Sequence, residues 1–182
     1  MEKMTDTPDK ERPSIKRYQE LISKNTQIDV KDNTEETDLR KVIIFRLGNE
    51  WYGVLLKDVF EIVDIIKIYR IPCVPDYIKG VTNLRGNVVS IIDLKVFFGI
   101  GEGFEKEASE KCIVIVKCGL LQTGFMADFV EDVYSIDFYK LDAPISTIES
   151  EKAQYIVGEN KMGERFLTII ETKAILEATS MQ

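Results

Sequence analysis

An internal repeat is the feature of this 182-residue sequence that most restricts its fold. Residues 41–62 match residues 112–133 after a shift of 71, and residues 78–98 match after a shift of 78. A lone unit of about 60 residues has only a marginal core, so we expect two units that pack together and share one core. The matched pairs include Gly48 with Gly119, Gly53 with Gly124, Glu61 with Asp132, Gly80 with Gly158, Asp93 with Glu171 and, with a one-residue slip, Gly86 with Gly163.

Each repeat has the texture of short antiparallel strands. Runs rich in Val, Ile and Phe are separated by glycine turns, a pattern typical of small barrels or sandwiches. The sequence therefore predicts a mainly β fold with two units, about 41–98 and 112–176, joined by a loop at 99–110. In detail it predicts strands at 41–47, 51–55, 65–71, 80–84 and 87–92, a helical turn at 57–62, and helices at 93–98 and 171–179.

Residues 1–38 differ in composition from the domain at 39–182. They are polar and charged, and such a segment cannot offset the entropy of ordering, so we expect a disordered N-terminal extension. Within it, Ile15, Tyr18 and Ile22 fall on one face of a possible short helix at 14–24. Two interpretations stay open: a tail with a nascent helix, or a helix that docks on a partner or folds back on the domain.

The residue types that common catalysis needs are scarce. The chain has no histidine, which removes the commonest general base and the commonest zinc ligand, and its three cysteines form no CxxC pair. The glycine-rich run at 99–103 lacks the Lys-Ser/Thr of a phosphate-binding loop. We therefore expect no catalytic residue, no metal site and no cofactor. A small β-barrel enzyme that uses carboxylates and a metal stays open as an alternative from another class.

Charge and hydropathy restrict the partners. The chain carries 24 basic and 31 acidic residues, a net charge of −7, whereas nucleic acid is bound mainly through Lys and Arg. We therefore expect no nucleic-acid partner. There is no run of eighteen apolar residues and no apolar signal core at the N-terminus, which predicts a cytoplasmic protein without direct membrane insertion.

The most distinctive chemistry lies in the block from Ile78 to Leu94, which reads as strand, tight turn, strand and helix start. Its turn carries Arg85, and the second repeat has no arginine there. An arginine in a turn is either solvated or bonded to nearby acceptors, for which Glu61 in the same unit is the best candidate. Arginine is also favoured at interface hot spots, so its guanidinium is expected to shape or contact a partner surface.

The same block resembles the signature of CheW-type chemotaxis coupling proteins. The match centres on residues 78–86, followed by Val-Val-Ser-Ile-Ile-Asp-Leu, and the resemblance extends from residue 41 to about 177. The opening hairpin at 45–54 and the segment Val59-Phe60-Glu61-Ile62 are similar to the family pattern as well. Ser90 departs from that pattern, because the family often has proline at this position.

The resemblance implies a fold of two packed five-stranded SH3-like β-barrels, and a non-enzymatic adaptor. Such adaptors link the cytoplasmic tips of chemoreceptors to the regulatory domain of the CheA histidine kinase, which implies recruitment to membrane-bound receptor arrays. The same scaffold in another receptor–kinase pathway, such as surface motility or gene regulation, is an alternative. By position, these residues match family positions that contact a partner or support the contact surface: Val59, Glu61, Gly80, Asn83, Leu84, Arg85 and Gly86.

Overall fold

Two five-stranded β-sheets make up most of the computed structural model, which describes residues 15–24, 37–100, 111–144 and 151–180. This confirms the prediction of a mainly β fold built from two five-stranded parts. The strands are β1 Leu39–Leu47, β2 Glu50–Leu55, β3 Val59–Asp64, β4 Ile78–Leu84, β5 Asn87–Ile92, β6 Cys112–Cys118, β7 Leu121–Ala127, β8 Phe129–Asp137, β9 Ile156–Met162 and β10 Arg165–Ile170. The helices are α1 Ile15–Lys24, α2 Leu94–Phe98 and α3 Thr172–Ser180.

Each sheet takes its strands from both sequence repeats. One sheet has the order β8-β1-β2-β10-β9 and the other has the order β3-β6-β7-β5-β4. Let the letters a to e stand for β1–β5 in the first repeat and for β6–β10 in the second. Both sheets then have the strand order c-a-b-e-d. In each sheet, strands c, d and e come from one repeat and the a-b hairpin comes from the other. Each exchanged hairpin is joined by antiparallel pairing on one side and parallel pairing on the other. The repeats are therefore separate in sequence but interlocked in the fold.

One apolar core lies between the two sheets and holds side chains from both. Phe45 and Tyr52 of the first sheet share it with Phe125 of the second, and α2 and α3 add Phe97 and Ile175. Burial of each such side chain contributes about 1.5–3 kcal/mol. The alternate residues of the strands form a smaller cluster within each sheet, because successive side chains point to opposite faces.

A repeated glycine permits close packing inside each sheet. A Cβ atom on Gly53 would lie 2.5 Å from Cγ1 of Val42, and one on Gly124 would lie 2.6 Å from Cγ2 of Ile113 and Cδ1 of Ile91. Both glycines lie on the second strand of an exchanged hairpin. The sequence repeat at these positions therefore reflects the same packing constraint in the two sheets.

The strand predicted at 65–71 is wrong. The segment forms only an isolated bridge, in which Tyr69 and Val81 exchange two backbone hydrogen bonds of 2.8 and 2.9 Å. The apolar residues that suggested a strand have another role, because Ile66 and Ile68 pack against the apolar cluster of the second sheet. The helical turn predicted at 57–62 is also wrong beyond Asp58, since a 3-10 turn covers Leu56–Asp58 and β3 follows directly.

The N-terminal helix folds back on the domain, which is one form of the second interpretation left open by the sequence. Helix α1 packs against β3, and Tyr18 is 3% exposed within the shared core. Its hydroxyl lies 2.7 Å from the carbonyl oxygen of Val130 and 2.6 Å from that of Glu131, both on β8 at the edge of its sheet. Residues 1–14 and 25–36, for which disorder is predicted, lie outside the described residues.

The Tyr18 hydroxyl anchors α1, and its removal tests that anchor. Tyr18→Phe keeps the ring in the core and removes the hydrogen bond to β8. We expect a loss of about 1 kcal/mol in the free energy of unfolding, measured by urea denaturation. Tyr139→Phe is the matched control because that residue is 67% exposed, and we expect no measurable change. Equal effects of the two substitutions would contradict the anchoring role.

Candidate functional site

A two-residue turn between β4 and β5 presents Arg85 at its tip. Leu84 faces Asn87 in register, and the turn residues Arg85 and Gly86 have φ angles of 53° and 89°. Two positive φ angles are the signature of a type I′ turn, whose twist matches that of the flanking strands. The side-chain oxygen of Asn83 accepts a hydrogen bond of 2.8 Å from the backbone N–H of Gly86. Asn83 and Gly86 therefore fix the turn that carries the arginine.

Arg85 adopts a backbone conformation that glycine would adopt more easily. The left-handed region costs a residue with a Cβ atom about 1–2 kcal/mol. The equivalent turn of the second repeat joins Met162 to Arg165, and its first residue is Gly163 with a φ of 65°. The structure therefore pairs Arg85 with Gly163 at the same shift of 78 as the flanking strands. The pairing of Gly86 with Gly163, which needed a slip of one residue, is replaced. The positive φ of Arg85 therefore has an unfavourable backbone energy that its side-chain interactions must offset.

An ion pair holds the Arg85 side chain against β3. Its Nη2 atom donates a hydrogen bond of 2.6 Å to Oε1 of Glu61, the neighbour expected from the sequence. The Glu61 side chain is only 9% exposed, and a buried carboxylate needs such a partner. The Arg85 side chain is 72% exposed and a guanidinium has five N–H donors. Arg85 is therefore tied to Glu61 and still presents donors to solvent.

The ion pair connects opposite edges of one sheet. Glu61 lies on β3 and Arg85 follows β4, and these strands are the two edges of the order β3-β6-β7-β5-β4. The sheet is therefore curved strongly enough for a side-chain bridge to cross its open side. The other sheet has an ion pair from an edge to an interior strand, since Nη2 of Arg165 on β10 lies 3.0 Å from Oε2 of Glu131 on the edge strand β8. There the guanidinium is covered by Trp51, whose ring centre lies 4.5 Å away.

The other residues predicted for the site are supporting or buried. Val59 is 4% exposed in the shared core, and Leu84 is 8% exposed in the cluster of the second sheet. Gly80 has a φ of 137°, and a Cβ atom there would collide with the backbone carbonyl of Tyr69. Glu61 and Arg85 are thus the two predicted residues that the fold brings into direct contact through their side chains. A partner-binding role for any of the seven stays a prediction.

A groove of about 260 Å³ adjoins the ion pair, and the sequence interpretation missed it. On β3 the apolar Phe60 is 50% exposed and the charged Glu61 is buried, at a point where the pairing with β6 shifts register between Val59 and Glu61. The position of α1 opposite Phe60 could not be predicted from the sequence, because helical periodicity does not reveal where a helix docks. The residues lining the groove are Gln19, Ile22 and Ser23 of α1, Phe60 and Glu61 of β3, and Arg85.

Among the described residues, no group of three or more His, Cys, Asp or Glu side chains is placed to hold a metal ion. Within the same parts of the chain, no helix is both long and apolar enough to cross a membrane.

Comparison with known proteins identifies the family. The CheW-like domain family matches residues 41–180. A relative named chemotaxis protein CheW from Klebsiella aerogenes is 33% identical over 147 residues, covering 80% of this chain and 87% of the relative. A protein of the same name from Helicobacter pylori is 31% identical over 143 residues, covering 79% and 85%. The crystal structure of the scaffolding protein TtCheW from Thermoanaerobacter tengcongensis superposes with a TM-score of 0.67 and 31% identity, covering 79% of this chain and 91% of that one.

The chain therefore belongs to the CheW-like domain family, which confirms the resemblance that the sequence motifs indicated. Helix α1, at Ile15–Lys24, precedes the residues that match the family.

A double-mutant cycle measures the Glu61–Arg85 pair. We expect Glu61→Gln and Arg85→Gln to show a coupling of about 1 kcal/mol in the free energy of unfolding, because one partner is buried and the other exposed. The control cycle is Lys173 with Glu177, whose side chains are 63% and 52% exposed and 3.7 Å apart. That pair should couple by about 0.3 kcal/mol. A Glu61–Arg85 coupling no larger than the control would contradict a structural tie.

Gly80 is expected to act through the fold alone. Gly80→Ala adds both an unfavourable φ and a collision with Tyr69, so we expect a loss of about 2–4 kcal/mol in the free energy of unfolding. Gly99→Ala is the control, because Gly99 also has a positive φ of 70° but has open space where the Cβ would lie. Its loss should be about 1 kcal/mol. Similar losses at both positions would show that the approach of Tyr69 does not matter.

Proposed function

We propose that the protein is a non-enzymatic adaptor that couples chemoreceptors to a CheA-type histidine kinase. Membership of the CheW-like family and similarity to a scaffolding protein support a chemotaxis scaffold. The observation that carries the finer proposal is Arg85, an exposed guanidinium fixed by a buried glutamate in a turn that would favour glycine. In this proposal the adaptor binds the cytoplasmic tips of the receptors and the regulatory domain of the kinase, and is recruited from the cytoplasm to membrane-bound arrays.

The surroundings of Arg85 support a protein-binding surface. Phe60 is 50% exposed beside the ion pair, and Val88, opposite Asn83 on the same hairpin, is 74% exposed. Protein interfaces combine apolar contact area with a few directional polar groups, and arginine is enriched among the residues that dominate binding. The tie to Glu61 also reduces the rotamer freedom that Arg85 would lose on binding. The surface is therefore prepared for a partner before that partner arrives.

The interlocked sheets support a scaffold role for the rest of the chain. Each sheet is completed by the hairpin of the other repeat, so the position of Arg85 depends on β6 and β7 as well as on the strands of its own repeat. A rigid body of this kind can hold two partners at a fixed distance without chemistry of its own. The adaptor would thus transmit receptor state through geometry, while the kinase performs the phosphoryl transfer.

Charge reversal at Arg85 tests the proposal. We expect Arg85→Glu to weaken binding to receptor signalling fragments or kinase by about 30-fold, equivalent to about 2 kcal/mol at a central interface arginine. The melting temperature should also fall, because Glu61 loses its partner, but by less in free energy than the loss in binding. Co-sedimentation of the purified protein with receptor fragments and kinase measures the binding, and kinase output with and without the adaptor measures its effect.

Lys140→Glu is the matched control, because Lys140 has the same 72% side-chain exposure as Arg85 and undergoes the same charge change. Its binding should stay within about twofold of the wild type. If kinase output is the same with and without the protein, the proposed adaptor role is rejected. If Arg85→Glu reduces binding and melting temperature in proportion, Arg85 is a structural tie and does not contact the partner.

A further inference from the structure

Helix α1 forms one wall of the groove beside the Glu61–Arg85 ion pair. Gln19, Ile22 and Ser23 recur at a spacing of three and four residues, which places them on one face of a helix. That face lines the groove opposite Phe60 and Arg85. The helix is held there by Tyr18, whose hydroxyl reaches β8. The wall is therefore attached to the domain through a buried anchor.

The helix borders the arginine without covering it. With α1 in place, the side chain of Arg85 is still 72% exposed and Phe60 is still 50% exposed. An intramolecular mask would be expected to bury the group that it competes for. The exposure instead leaves an open groove that has a cationic group, an aromatic ring and two polar side chains of α1 on its lining.

We propose that α1 is part of the partner-binding surface, and that its groove accepts a protein segment with a carboxylate next to an apolar side chain. The carboxylate pairs with the solvent-facing donors of Arg85, and the apolar side chain packs between Ile22 and Phe60. This inference rests on the proposed adaptor function and adds the segment Ile15–Lys24, which lies outside the family match at 41–180.

Charge complementarity selects this occupant. Glu61 uses one nitrogen of the guanidinium, and a fork of five donors can hold a second carboxylate in addition. The half-buried Ile22 and the exposed Phe60 supply apolar area beside that charge. Gln19 and Ser23 are neutral, so Glu61 is the one carboxylate among the lining residues, and it is already paired with a single nitrogen of Arg85. A negative charge introduced on α1 should therefore discriminate against the partner.

The test compares two identical substitutions in the full-length protein. Gln19→Glu adds a carboxylate at the groove, and Gln154→Glu adds one at an exposed position that is not part of its lining. Isothermal titration calorimetry is run separately with a chemoreceptor signalling fragment and with the kinase regulatory domain. For the fragment that Arg85→Glu weakens, we expect Gln19→Glu to raise Kd about threefold to tenfold and Gln154→Glu to leave it within twofold. Equal Kd values for the two variants overturn the proposal.

A second variant distinguishes a wall from a mask. Tyr18→Phe loosens the attachment of α1 and leaves the lining side chains unchanged. If α1 is a wall, Kd rises about threefold, whereas Tyr139→Phe has no effect. A lower Kd for Tyr18→Phe would show that α1 competes with the partner, and an unchanged Kd would show that α1 is irrelevant; both results overturn the proposal.

The two levels of inference fail differently. If the wild-type protein binds neither fragment, the adaptor function fails and the groove assignment fails with it. If the wild type binds and Arg85→Glu weakens that binding, but the α1 variants match their controls, the adaptor function stands and only the role of α1 is rejected.

Discussion

The exchange of hairpins between the two repeats is the constraint on which the rest of the structure depends. Strands β1 and β2 complete a sheet whose other strands come from the second repeat, and β6 and β7 do the same in reverse. Neither repeat can bury its apolar faces alone, because part of each sheet is supplied by the other repeat. The shared core, the close packing at Gly53 and Gly124 and the position of every edge strand follow from this arrangement.

Each sheet has an arginine–glutamate pair that reaches one of its edge strands. The pair of Arg165 and Glu131 is covered by Trp51, and its arginine lies at the start of a strand with an ordinary backbone. The pair of Arg85 and Glu61 uses a strained turn residue and leaves the guanidinium exposed. The proposed contact of Arg85 with a partner would account for the additional backbone cost of the second pair.

The sequence predicted features that depend on local chemistry. The repeat, the turn at Arg85-Gly86 and the contact with Glu61 were readable because glycine spacing and charge act over short ranges. Hairpin exchange was not readable, since alternation shows which face of a strand is buried but not which strand lies beside it. The same limit explains the error at 65–71, where the alternation reflects packing of Ile66 and Ile68 without strand pairing. Helix α1 packs against β3 and is bonded to β8, which are edge strands of different sheets. Its position therefore cannot be predicted from a local sequence pattern.

The internal symmetry is broken around the proposed binding surface. Strands β3 and β8 are equivalent edges of the two sheets, so an ideal repeat would offer the same face twice. Two departures break that equivalence: Gly163 stands where the first repeat has Arg85, and α1 lines a groove at β3 while its Tyr18 anchor is bonded to β8. The edge at β3 therefore has Arg85 and a groove wall formed by α1, whereas the edge at β8 holds α1 in place through Tyr18.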